Sequence, residues 1–195
     1  MNAPRWRGGW WSGARRRSSP NWGARPAGVA VELIVVHSIS LPPGEYGSDS
    51  IERLFTNRLD WNAHPYFSQI RGLQVSSHFL VRRGGECMQF VDCNRRAWHA
   101  GRSSWRGRDN CNDFSIGIEL EGVDSAPYED AQYTTLAALV VALLDAYPGL
   151  RPEAIVGHCD IAPDRKTDPG PAFEWPRLHT LVRRGLEAPP GSLSA

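Results

Sequence analysis

Residues 29–37, VAVELIVVH, constrain the fold more than any other stretch, being β-branched and almost continuously apolar. Such a run reads as a central strand buried on both faces, so a layer is required on each side of it. With 195 residues and 41% hydrophobic content, the chain can supply those layers as one domain with one core. The run is too short to cross a bilayer and is interrupted by Glu32, so no membrane span is expected.

Other segments supply the remaining elements. FSIGIELEG alternates, placing Ile116, Ile118 and Leu120 on one face and Gly117, Glu119 and Glu121 on the other, so two carboxylates share a face beside a glycine. Residues 130–147 put Tyr133, Leu136, Leu139, Val140, Leu143 and Tyr147 on one helical stripe, and Pro148 with Gly149 stops the helix. Residues 75–81 and 86–91 flank RRGG as an antiparallel pair, and Asp49 caps a short helix with Ile51, Leu54 and Phe55 at helical spacing. AIVGH is a short strand running into a proline-rich loop, Pro176 opens a last helix ending near Leu186, and residues 188–195 form a fraying tail. Strands interspersed with helices indicate an α/β or α+β sheet protein.

Residues 1–28 carry six arginines (Arg5, Arg7, Arg15, Arg16, Arg17, Arg25) and no acid, against a whole-chain charge of +1. A basic arm on a mildly acidic body follows, and without basic repeats or interleaved stacking motifs it is read as a solvated or packed-down arm with no nucleic-acid partner. No long apolar run follows Arg17, so no export signal is expected and the protein is placed in the cytoplasm. The four cysteines show no C-x-x-C pair and are read as reduced, buried thiols. No partner face stands out, which leaves a monomer as the default.

Position sorts the six histidines. His37 and His158 each end an apolar strand where the chain breaks into loop, and the carboxyl ends of strands are where sheet proteins tend to hold reactive groups. Asp168 lies ten residues after His158 in a loop stiffened by Pro163, Pro169 and Pro171. Two imidazoles and one carboxylate would leave the fourth position of a hydrolytic zinc open, although the spacing alone is equally compatible with satisfied strand-end histidines. His64 and His179 fit structural or surface roles, whereas His78, His99 and the adjacent Trp98 are candidates for a substrate pocket. Lys166 is the only lysine among 22 basic residues and sits two residues before Asp168.

In order along the chain, VVHSISLPPGEYG, NAHPYF, RRAWHAG, CNDFSIGIELEG and GHCDIAPDRKTDPGP resemble the cytoplasmic N-acetylmuramoyl-L-alanine amidases of the AmpD type, which act on 1,6-anhydro-muropeptides in cell-wall recycling. GHxxIAP and AWHAG are also shared with other amidases and with peptidoglycan recognition proteins. The resemblance runs from about residue 9 to 186 and implies a mixed central β-sheet flanked by helices, with a basic arm over 1–28 and one zinc amidase domain over 29–187. It implies one zinc per chain on His37, His158 and Asp168, a catalytic glutamate at Glu119 and a catalytic lysine at Lys166. Spacing alone does not separate Glu119 from Glu121; the resemblance selects Glu119.

The implied reaction is hydrolysis of the amide between the muramoyl lactyl carbonyl and L-alanine in a small muropeptide. Glu119 would act as general base and Lys166 would face the oxyanion. Two departures from the family pattern, Ser38 after the first ligand histidine and Asn110 before CNDF, bear on sugar and peptide recognition. Arg106 and Arg108 are read first as part of a solvated loop and second as guanidinium forks for substrate carboxylates. A muropeptide-binding module without catalysis is the competing reading, and the presence of all three ligand candidates and Glu119 argues against it. A secreted amidase acting on intact wall is a third.

Overall fold

The computed structural model describes residues 6–188. Its strands are β1 (Trp6–Arg7), β2 (Trp10–Trp11), β3 (Arg15–Arg16), β4 (Trp22–Ala24), β5 (Leu33–Ile39), β6 (Phe79–Val81), β7 (Cys87–Gln89), β8 (Arg95–Ala97), β9 (Ser104–Trp105), β10 (Arg108–Asp109), β11 (Ser115–Glu121) and β12 (Ile155–Gly157). Its helices are α1 (Ser50–Phe55), α2 (Pro65–Gln69), α3 (Asp130–Ala146), α4 (His158–Ile161) and α5 (Trp175–Glu187). The main sheet has the order β12-β5-β11-β6-β7-β3. Its first four strands are mutually parallel, β7 runs antiparallel to β6, and β3 parallel to β7, which makes a mixed α/β sheet.

Alternation along β5 and β11 builds a core on each face. Ile34, Val36, Ile116, Ile118 and Leu120 pack under α3 and α5 with Leu136, Leu139, Leu143 and Leu178. On the opposite face Leu33 and Val35 pack with Phe114, Val156 and Ile161, while Leu80 and Met88 meet α1 and α2 through Phe55 and Phe67. Ile118 is fully buried at the middle of β11, so Ile118→Ala is expected to destabilise the fold by about 2–5 kcal/mol. A denaturant titration measures it.

Strand β5 begins later than its apolar run, which starts at residue 29. Val29 N–H closes a turn onto the Pro26 carbonyl and Gly28 is at φ 75°, so the ladder starts at Leu33. It continues past His37 to Ile39 because Ser38 and Ile39 pair with Leu120 and Glu121. After β12 the chain turns at once into α4, where the sequence had suggested only loop. The last helix ends one residue beyond the expected Leu186, and from residue 189 the expected tail lies outside the described residues.

Residues 6–25 pack on the rest of the domain. Trp11 enters the core cluster, its backbone N–H donates to Gln89 Oε1, and β3 lengthens the main sheet. Arg15 and Arg17 both reach the Glu52 carboxylate on α1, at 3.1 and 3.0 Å. Arg25 donates to the carbonyls of Cys93, Asn112, Asp113 and Ser115. No described helix is long and apolar enough to cross a membrane.

Candidate active site

The strand register places the chemistry. His37 on β5 and Glu119 on β11 are directly paired neighbours on the face away from α3 and α5, near the carboxyl ends of both strands. Gly157, the last residue of β12, pairs with Val36, which delivers His158 beside His37. The loop after α4 returns Asp168, whose carbonyl accepts from Cys159 N–H at 3.0 Å. Two contacts brace that loop from the β11–α3 connection: Asp124 accepts from the Thr167 hydroxyl, and the Tyr128 hydroxyl donates to the Pro169 carbonyl at 2.8 Å.

Three atoms converge there. His37 Nδ1 lies 2.9 Å from His158 Nδ1 and 3.3 Å from Asp168 Oδ2, and His158 Nδ1 lies 3.1 Å from Asp168 Oδ2. Outer partners decide where the ring protons sit. His158 Nε2 is 3.1 Å from the Ala100 carbonyl, which only accepts, so a neutral His158 carries its proton on Nε2. Ser115 gives its hydroxyl proton to the Cys111 carbonyl at 2.6 Å and therefore accepts from His99 Nε2–H at 3.1 Å. Burial holds His99 well below its ordinary pKa, so its Nδ1 is a lone pair that accepts from His37 Nε2–H at 2.9 Å.

Burial also pushes His37 down to about 4, so His37 is neutral at pH 7 with a bare Nδ1. A bare His37 Nδ1, His158 Nδ1 and an oxygen of Asp168 thus converge on one point, three donor atoms able to hold a metal ion. Their separations are close to the ~3.3 Å edge of a tetrahedron with bonds of about 2.0–2.1 Å. The donor set fits zinc.

Glu119 and Lys166 line the same cleft of about 300 Å³ with the three converging residues, Ser38, Trp98 and His99. Glu119 is 9% exposed, and its Oε2 has no hydrogen-bond partner among the described residues. Burial, with repulsion from Asp168, raises its pKa well above the ordinary range, and the Lys166 ammonium opposes that shift. Glu121, two residues on, is committed elsewhere: it pairs with Arg82 at 3.0 Å and accepts from the Gly47 and Arg83 amides. Ser38 donates to Asp124 Oδ1 at 2.9 Å, so the residue after the first ligand candidate joins the bracing of the 162–171 loop.

Several pocket candidates lie elsewhere. His78 is fully buried and outside the cleft, its Nδ1 accepting from Gly117 N–H and its Nε2–H donating to the Arg95 carbonyl. Burial lowers it to about 3, as suits an interior hydrogen-bonding ring. Arg106 and Arg108 line a separate hollow of about 480 Å³ with Trp105, Phe114 and Arg151. Arg108 is paired there with Glu32 at 2.5 Å, and neither arginine lines the cleft. His64 caps α2 by accepting Tyr66 N–H, and His179 stacks on Trp175.

The sequence reading missed the apolar wall of the cleft, formed by Leu41, Leu54, Phe55, Ile70, Leu73 and Val75. Its only advance signal was the helical spacing around Leu54 and Phe55.

The family of N-acetylmuramoyl-L-alanine amidases matches the chain over residues 27–171. The 1,6-anhydro-N-acetylmuramyl-L-alanine amidase AmpD of Escherichia coli is 56% identical over 176 residues, covering 90% of this chain and 96% of its own. A crystal structure of a selenomethionine derivative of AmpD superposes with a TM-score of 0.88 at 55% identity, over 90% of this chain and 98% of that one. The amidase AmiD of E. coli, solved as a complex with anhydro-N-acetylmuramic acid-L-Ala-D-gamma-Glu-L-Lys, is similar at 34% identity and a TM-score of 0.58. That match covers 80% of this chain and 60% of AmiD.

Proposed function

Because the chain belongs to the N-acetylmuramoyl-L-alanine amidase family, we propose that it is a zinc amidase of cell-wall recycling, acting in the cytoplasm as a monomer. It cleaves the amide between the lactyl carbonyl of a (1,6-anhydro-)N-acetylmuramoyl group and L-alanine in a small muropeptide. The observation that carries this reading is the convergence of His37 Nδ1, His158 Nδ1 and Asp168 Oδ2 on one point, beside a carboxylate oxygen of Glu119 without a partner among the described residues and a lysine. The substrate is supported by the AmpD relative and by the muropeptide bound in AmiD.

His37, His158 and Asp168 would hold the zinc, which would supply Lewis acidity, making water nucleophilic near neutral pH and polarising a carbonyl. The protein's own groups do the rest. Glu119 takes the proton of the attacking water and hands it to the alanine nitrogen as the C–N bond breaks, one carboxylate serving in both directions. Lys166 faces the oxygen of the tetrahedral intermediate with its ammonium, where negative charge develops. The apolar wall and Trp98 exclude water and offer the sugar a non-polar face.

Turnover of an anhydro-muropeptide against intact peptidoglycan, with and without a chelator, tests metal, reaction and substrate size together. About one zinc per chain is expected, with peptide release from the muropeptide that stops on chelation and returns with zinc. A protein that holds no zinc after gentle purification, and turns nothing over when zinc is supplied, would not be this enzyme.

A further inference from the structure

Both ligand histidines rest their outer nitrogens on a single dipeptide. His37 Nε2–H donates to the His99 ring at 2.9 Å, and His158 Nε2–H donates to the carbonyl of the next residue, Ala100, at 3.1 Å. Neither residue of that dipeptide belongs to a strand, since β8 ends at Ala97, where its pairing with Trp22 of β4 also stops. Trp98 is held by Ser76, through Trp98 N–H to Ser76 Oγ at 3.0 Å and Ser76 N–H to the Trp98 carbonyl at 3.1 Å. The next two amides turn to one side chain: Asn112 Oδ1 accepts from His99 N–H at 3.1 Å and from Ala100 N–H at 2.9 Å.

We propose that Asn112 is a positioning residue for the metal centre, its single amide oxygen fixing the dipeptide that orients both ligand imidazoles. A side-chain carbonyl oxygen has two lone pairs and no proton, the requirement for receiving two consecutive amide N–H groups. Asn112 is itself held in a 3-10 turn spanning Cys111–Asp113, and its carbonyl accepts from Arg25 at 3.2 Å. The Ala100 carbonyl receives a second donor, Arg165 at 2.7 Å, from the loop that bears Lys166 and Asp168. The His99 ring is seated from below by the missing side chain of Gly117, where a Cβ would come within 2.4 Å of it. AWHAG and CNDF, two motifs with no ligand and no general base before Glu119, thereby acquire a joint task.

The inference rests on the zinc reading, and zinc itself is the probe. Outer partners of ligating histidines typically govern metal affinity by 10–100-fold. Metal-free wild type, Asn112→Ala and Asn112→Asp are titrated with zinc against a chromophoric chelator, and the thermal midpoint of each metal-free protein is recorded. Asn112→Ala is expected to raise the zinc Kd by about 10–100-fold with an unchanged metal-free midpoint. Asn112→Asp, which keeps an acceptor oxygen, is expected to recover most of that loss. The proposal is overturned if Asn112→Ala binds zinc like wild type, if Asn112→Asp is as weak as the alanine variant, or if affinity and metal-free midpoint fall together. A wild-type protein that binds no zinc would overturn the zinc reading along with it, a result distinct from equal binding by wild type and variant.

Discussion

Glu119→Gln is expected to lower kcat by about 10²–10⁴-fold, the span of a lost general acid–base group, while the zinc content stays at the wild-type level. Glutamine matches the shape of the carboxylate and removes only its basicity, so the buried site beside His37 is kept. The pH profile provides a second readout. Burial raises the Glu119 pKa, so the active carboxylate form is lost as pH falls through a value above the ordinary glutamate range. A cation in the neighbouring site pulls that value down, because positive charge favours the carboxylate. The acid limb of kcat in the loaded wild type should vanish in the variant. Full activity in Glu119→Gln would remove Glu119 from the reaction, and Glu121 could not replace it while bound to Arg82.

Lys166→Met is the second large effect, with kcat expected to fall by about 10²–10³-fold and KM changed much less, as for a lost oxyanion donor. Lys166→Arg sharpens the test. A guanidinium is a planar fork that needs paired acceptors, whereas an ammonium on a flexible stem can address one oxygen. Arginine is therefore expected to restore little activity, and a Lys166→Arg enzyme with wild-type kcat would refute the need for a compact cation. The loop geometry favours the exacting requirement: Lys166 N–H and Arg165 N–H both close onto the Ala162 carbonyl, which fixes the start of the side chain.

What was legible in the sequence follows the range of the forces involved. β5, β11 and α3 could be read from local pattern alone: a continuous apolar run for β5, alternation for β11 and a helical stripe for α3. β1 to β4 could not, since they lie in an arginine-rich segment without an apolar run and are held by distant partners such as Gln89 and Glu52. At the site, strand ends and a stiff loop pointed to His37, His158 and Asp168, which the structure brings together. His78 misled because its value as an interior acceptor depends on Gly117 and Arg95, neither nearby in sequence. Arg106 and Arg108 line a separate hollow because their partners, Trp105 for Arg106 and Glu32 for Arg108, lie away from the cleft. Gly117 was a signal left unread, since glycine inside an alternating strand often marks a close approach, here by the His99 ring.

The pairing of His37 with Glu119 across two parallel strands means that a proposed metal ligand and the proposed base share one rigid body. β11 is buried along its whole length, and a slip of one residue against β5 would turn Glu119 to the opposite face. Asp168 and Lys166 belong to a second body, a loop tethered through Thr167, Pro169 and Arg165. The site is thus a hinge-free jaw on one side and a tethered jaw on the other. Hydrogen exchange across the 162–171 loop, rather than in the strands, is where any opening of the centre would be seen first.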